Sequence, residues 1–84
     1  MASKVRYKAS VEKDLNKLDA PAIKKILNKI EKDLGSDSDK GESLKGEFKG
    51  LFRYRIGDYR VIYSKTREGI LVLRIRHRRD VYHK

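Results

Sequence analysis

The stretch that most constrains the fold is residues 51–63. It reads Leu-Phe-Arg-Tyr-Arg-Ile, then Gly57-Asp58, then Tyr-Arg-Val-Ile-Tyr. Two alternating runs around a two-residue Gly-Asp turn are a strong short-range signal for a β-hairpin. Strand side chains alternate between faces. Phe52, Tyr54 and Ile56 therefore share one face, and Leu51, Arg53 and Arg55 the other. In the second strand Tyr59, Val61 and Tyr63 lie together, opposite Arg60, Ile62 and Ser64. The apolar and aromatic face is expected to meet the core, which leaves three arginines on an open face.

The charge is distributed in the same sense. The 84-residue chain carries a formal charge of +10. Residues 1–42 hold 10 Lys and Arg against 8 Asp and Glu, whereas residues 43–84 hold 12 against 4. Eight of the nine arginines lie in the second half, and only Arg6 lies outside it. Such asymmetry points to an anionic partner bound by a specific surface, nucleic acid before an acidic protein. The length allows one domain, residues 1–84, with a modest core. There is no cysteine and there are two histidines, His77 and His83, so neither a disulfide nor a metal site is expected. No cofactor fingerprint is present. No apolar run approaches the roughly 20 residues of a membrane span, and the N-terminus lacks the apolar core of a secretory signal. A soluble, intracellular protein with no membrane partner is expected.

Residues 4–9 alternate as a short strand, with Val5 and Tyr7 between Lys4, Arg6 and Lys8. Ser10 is suited to cap a helix that buries Val11, Leu15 and Leu18, with Glu12, Lys13, Asp14 and Lys17 on its solvated side. Asp19 reads as the cap of a second helix, with Pro21 in its first turn. Ile23, Ile26, Leu27, Ile30 and Leu34 form its apolar stripe, and Gly35 is expected as a left-handed C-terminal cap. Residues 36–43 read as an exposed loop, and Lys45-Gly46 and Lys49-Gly50 as turns leading into the hairpin. Thr66 to Gly69 makes a further turn. In the last strand, residues 70–77, Leu71, Leu73 and Ile75 are expected on one face with His77. Ile70, Val72, Arg74 and Arg76 take the other. The order β-α-α-β-β-β argues for an α+β domain, with the helix pair packed on one face of a small, mostly antiparallel sheet.

No Ser-His-Asp set, metal spacing or carboxylate dyad stands out. What does is an arginine set with a tyrosine, on the hairpin and the C-terminal segment. Arginine forks bind phosphate and keep their charge at physiological pH. They also stabilise charge that develops on a phosphate in the transition state.

Leu44-Lys45-Gly46, the run from Arg53 to Tyr63 and Arg76-His-Arg-Arg-Asp-Val-Tyr82 resemble the RelE/ParE toxin superfamily of toxin–antitoxin systems over nearly the whole chain. The resemblance implies a small cytoplasmic toxin held inactive by a cognate, RelB-like antitoxin. For the RelE branch it implies an endoribonuclease that cleaves mRNA in the ribosomal A site by 2′-hydroxyl attack. The match places Arg53 and Arg55 as RNA-positioning and phosphate-stabilising residues. It makes Arg60 and Arg78 transition-state ligands, and Tyr82 a proton-transfer or base-stacking group. Lys45, Lys49, Arg76 and His77 are further RNA-binding candidates. The chain departs from the RelE pattern in having arginines at 53 and 55 where lysines are usual, and arginine is no general base near neutrality. Glu42 falls where the YoeB-type relatives carry a glutamate and is the candidate base. The alternatives are a ParE-type toxin that inhibits DNA gyrase without nuclease activity, and a non-catalytic RNA- or ribosome-binding relative.

Overall fold

The computed structural model describes residues 4–77. Strand β1 (Lys4–Tyr7) leads into helix α1 (Ala9–Leu15) and helix α2 (Ala20–Lys29), which continues as a π-helical turn over Ile30–Leu34. Strands β2 (Glu42–Ser43), β3 (Leu51–Ile56), β4 (Tyr59–Lys65) and β5 (Gly69–His77) follow. They form one mixed five-stranded sheet in the order β1-β5-β4-β3-β2. β1 runs parallel to β5, and the other pairings are antiparallel. The expected α+β layering holds, and the two-residue strand β2 adds an edge that the sequence did not announce.

The hairpin forms as its alternation requires. Gly57 takes a φ of +58°, a value that L side chains rarely adopt, at the first position of the two-residue turn. Phe52 pairs with Tyr63, Tyr54 with Val61 and Ile56 with Tyr59 across the β3–β4 ladder. Val11, Ile26, Ile30 and Leu34 from the helical layer meet Ile56, Val61, Tyr63, Ile70, Val72 and Ile75 from the sheet in one buried core. Each such side chain contributes about 1.5–3 kcal/mol of hydrophobic stabilisation.

Asp19 caps α2 as expected, its carboxylate accepting from the Ala22 amide at 3.0 Å. Ser10 does not cap α1. Lys8 holds the N-cap position without a side-chain bond, and Ser10 Oγ instead donates to the Leu73 carbonyl at 2.7 Å. Gly35 is not left-handed either, its φ being −67°. Its amide closes the π-helical turn by donating to the Ile30 carbonyl at 3.1 Å. A Cβ at this position would overlap the Glu31 carbonyl, so glycine serves a close approach and not a left-handed cap.

The largest correction concerns β5. Tyr63 faces Val72 and Ile62 faces Arg74, so Leu73 is an extra residue in the ladder, a β-bulge. The buried positions therefore run Ile70, Val72, Ile75, with a step of two and then of three. Strict alternation assigned Leu71, Leu73 and Ile75 to one face. The bulge splits that set and leaves Leu71 and Leu73 only partly buried.

Candidate functional site

The register of the three central strands builds one row of arginines. Arg55 lies opposite Arg60, and Arg60 lies opposite Arg76. Directly opposed residues project from the same face, here the one turned away from the helices. A second row runs Arg53, Ile62 and Arg74. Like charges placed directly opposite one another destabilise a sheet. An anion bound to the row would offset that repulsion.

At the β2 end, Lys40, Glu42, Arg53, Arg55 and Arg60 line a notch of about 280 Å³. Glu42 faces Arg53 across the β2–β3 register, and its carboxylate is ion-paired with the Arg53 guanidinium. The loop that carries Lys40 and Glu42 is fastened from below. Tyr63 is fully buried, and its hydroxyl donates to the Ser38 carbonyl at 2.7 Å and accepts from the Gly41 amide at 3.0 Å. Lys65 reaches the same loop through an ion pair with Asp39 and lies 4.7 Å over the Phe52 ring.

At the β5 end, a group absent from the sequence-level site appears. β1 pairs with β5 only as far as Val72. Beyond it, α1 takes over the strand's outer edge. Ser10 satisfies the Leu73 carbonyl, and Asp14 Oδ2 accepts from the Ile75 amide at 2.9 Å. Ser10 and Asp14 are four residues apart and so share a helix face. The Asp14 carboxylate also takes two parallel bonds from Arg74, Nε at 2.9 Å and Nη2 at 3.0 Å. Burial pushes Asp14 up, but the Arg74 fork and the Ile75 amide outweigh it and hold the carboxyl below its usual range. The same pair raises Arg74. Asp14 is 6% exposed, so its placement on a solvated helix face was wrong. The residue type carried no signal of this. Only the bulge brings its partners to it.

Arg53, Arg55, Arg60 and Arg76 are thus brought together, with Glu42 beside the first three. Lys45 and Lys49 bracket a short 3₁₀ turn, Gly46–Phe48, and are exposed on the β2–β3 connection. His77 lies on the helix-side face, opposite Tyr59, with the rings edge to face at 5.1 Å. Alternation along β5 therefore separates it from Arg76. Arg78 and Tyr82 lie outside the described residues. Between the arginine rows and the 3₁₀ turn runs an apolar trough of about 500 Å³, floored by Leu44, Phe48, Leu51, Ile62 and Leu73 and edged by arginines. Phe48 is 53% exposed there. Among the described residues no group of three or more His, Cys, Asp or Glu is placed to hold a metal. No helix is long and apolar enough to cross a membrane.

The model of the ParE toxin of type II toxin–antitoxin systems matches residues 5–82. The chain belongs to the ParE toxin family, within the RelE/ParE superfamily. It is therefore the toxin of a type II toxin–antitoxin system. Among solved structures, the RelBE2 toxin–antitoxin complex from Mycobacterium tuberculosis contains a chain 28% identical to this one. The match covers 92% of both chains with a TM-score of 0.86. A chain of the RelE–RelB complex from Pyrococcus horikoshii is 29% identical, covering 93% of this chain and 97% of that one, with a TM-score of 0.66. YafQ from the Escherichia coli DinJ–YafQ complex, 17% identical over 99% and 100% of the two chains with a TM-score of 0.63, shares the fold. No curated protein sequence matches the chain.

Proposed function

We propose that this toxin is a ribosome-dependent endoribonuclease of the RelE type that cleaves mRNA in the A site and so stops translation in the cytoplasm. The observation that carries the reading is the Arg55–Arg60–Arg76 row on an open sheet face, with Glu42 at its edge. In the proposed reaction the 2′-oxygen attacks the adjacent phosphorus and the bond to the 5′-oxygen breaks. The 2′-proton passes to a base and the 5′-oxygen gains a proton. A 2′,3′-cyclic phosphate and a 5′-hydroxyl remain.

Arg60 stands at the centre of the row, where its guanidinium stabilises charge on the phosphate oxygens. Arg53, Arg55 and Arg76 hold the flanking backbone. Glu42 is the carboxylate among the described residues that lines the arginine notch, and it takes the 2′-proton. Arg78 and Tyr82 enter through the sequence motif, Arg78 as a second phosphate ligand and Tyr82 as the group that protonates the leaving oxygen or stacks on a base. Tyr54 and Tyr63, at the helix–sheet boundary, do not suit proton abstraction. Tyr54 is pushed up by its bond to Asp33 and Tyr63 by burial, the direction that keeps a phenol protonated.

The partner is a cognate, RelB-like antitoxin, in keeping with neighbours solved as toxin–antitoxin complexes. The apolar trough with its arginine edges suits an amphipathic acidic segment of such a protein. A second reading, inhibition of DNA gyrase without cleavage, has the match to the ParE model in its favour. One experiment separates the two. Purified toxin is added to translating ribosomes, and the mRNA ends are mapped and tested for cyclic phosphate. The proposal expects cleaved mRNA with cyclic-phosphate ends. Intact mRNA together with blocked supercoiling by gyrase would transfer the chain to the second reading.

A further inference from the structure

The notch at the outer edge of β5 is separate from the one around Glu42. It measures about 200 Å³ and is lined by Asp14, Lys17, Arg74, Arg76 and His77 among others. This is smaller than pockets for drug-sized ligands, which start near roughly 300 Å³, and suits a group of phosphate size. Arg74 borders both this notch and the trough on the open face. It therefore links the arginine rows to the sheet edge.

The Asp14–Arg74 pair is asymmetric. The Asp14 side chain is 5% exposed and that of Arg74 is 42% exposed. One end is an anchor inside the protein, and the other presents a guanidinium to solvent. The fork to Asp14 uses Nε and one Nη2 proton, two of the five donors of a guanidinium. The rest of the fork is held in place before any ligand arrives. Such preorganisation lowers the entropy lost when the ligand binds. Lys17 is exposed in the turn that follows α1 and borders the same notch.

We infer that this notch is an additional phosphate subsite, in which Arg74, positioned by Asp14, and Lys17 hold a backbone phosphate of a single-stranded RNA at a nucleotide flanking the reacting one. The inference rests on the proposed RNA-cleaving function and extends its binding track around the sheet edge. Asp14 is a positioning residue and touches no ligand. Its negative charge is matched by Arg74, with the net cationic character coming from Lys17 and Arg76.

The test uses a fluorescent single-stranded RNA oligonucleotide and the full-length toxin, with affinity measured by anisotropy across a salt series. Lys17→Ala removes one phosphate contact on an exposed residue, so its fold is retained. It is expected to weaken binding about threefold at moderate salt and to reduce the log–log salt slope by about 0.7, the value for one contact to a single strand. Arg74→Lys keeps a cation opposite Asp14 but loses the fork, and is expected to weaken binding about tenfold. Lys24→Ala, on the exposed face of α2, serves as the charge control and is expected to leave both quantities unchanged.

If Lys17→Ala and Arg74→Lys bind like the wild type while the wild type cleaves mRNA, the subsite is overturned and the proposed function stands. A loss as large in Lys24→Ala would also overturn it, since the effect would then be general charge. If the two variants keep RNA affinity but lose that for the antitoxin, the notch belongs to the protein partner and the inference fails. A wild type that neither binds RNA nor cleaves it removes the subsite and the proposed function together.

Discussion

Replacing Tyr63 by phenylalanine removes one oxygen atom and tests how the loop beside the arginines is held. The ring is fully buried and packs against Phe52, with centroids 5.5 Å apart. Phenylalanine preserves that packing. What it loses is the bond to the Ser38 carbonyl at 2.7 Å and the one from the Gly41 amide at 3.0 Å. Two net hydrogen bonds are worth about 2 kcal/mol in total. Ser38 and Gly41 are half-buried, so water reaches them only in part, and leaving each unsatisfied adds up to about 1 kcal/mol. The expected destabilisation is about 2–4 kcal/mol. A domain of this size loses about 4–8 °C in Tm per kcal/mol, so Tm should fall by roughly 8–32 °C.

Thermal unfolding followed by circular dichroism measures this directly. The same loop carries Lys40 and Glu42 into the arginine notch. Cleavage measured well below the lowered Tm should therefore drop by about tenfold, within the cost of displacing a reacting group by a fraction of an ångström. A Tm within about 3 °C of the wild type would show that the loop is fixed by the Lys65–Asp39 pair or by its backbone, and not by the Tyr63 hydroxyl.

Three further outcomes are expected. Arg60→Ala should slow single-turnover cleavage on programmed ribosomes by about 10²-fold or more, the cost of one lost donor to developing charge; a rate near wild type would remove Arg60 from the reaction. Glu42→Gln should cost about 10²- to 10⁴-fold if its carboxylate takes the 2′-proton, with little change in Tm because its pair with Arg53 is exposed; a rate within about threefold would place the base elsewhere. Asp33 is held below its ordinary pKa, first by the hydroxyl of Tyr54 at 2.7 Å and then, against the opposing effect of burial, by Lys29. The stability it contributes is present above the unfolded value near about 4 and is lost as pH falls through the lower folded one. The Tm gap between wild type and Asp33→Asn should therefore be wide at pH 7 and narrow steadily on acidification, and a gap independent of pH would contradict the assignment.

The parts legible from the sequence are those in which a local pattern and its tertiary use coincide. Residues 51–63 alternate cleanly around Gly57-Asp58, and they fold as that pattern dictates. Asp19 and Pro21 start α2 for the reasons their chemistry provides. The parts that were not legible depend on contacts distant in the chain. Ser10 reads as a helix cap and Asp14 as an ordinary polar helix residue, and what makes them special lies about 60 residues away. Gly35 stands where a left-handed cap belongs, but the helix ends in a wider turn that needs a hydrogen atom facing the Glu31 carbonyl. Residues 70–73 are four apolar side chains in succession, so period-two reasoning has no phase to lock onto. The arginine set on the hairpin followed from alternation. Arg74 did not, because its role depends on the bulge.

That bulge connects the fold to the proposed chemistry. Without Leu73 as an extra residue, Ile70, Val72, Arg74 and Arg76 would share one face of β5. The first two are fully buried in the core. A regular strand would then force either two arginines under the helices or two aliphatic residues into solvent. Burying an unpaired arginine costs several kcal/mol, so neither register is acceptable. One inserted residue resolves the conflict, because it shifts the phase of the strand between Val72 and Arg74. Arg76 then aligns with Arg60 and completes the row. Where β1 ends, the outer edge of the bulged strand keeps a carbonyl and an amide that no strand pairs, and Ser10 and Asp14 satisfy both. The carboxylate that repairs the backbone also aims Arg74. The irregularity in β5 therefore arises from the same requirement as the basic face: a strand that begins in the core ends among arginines on the open face.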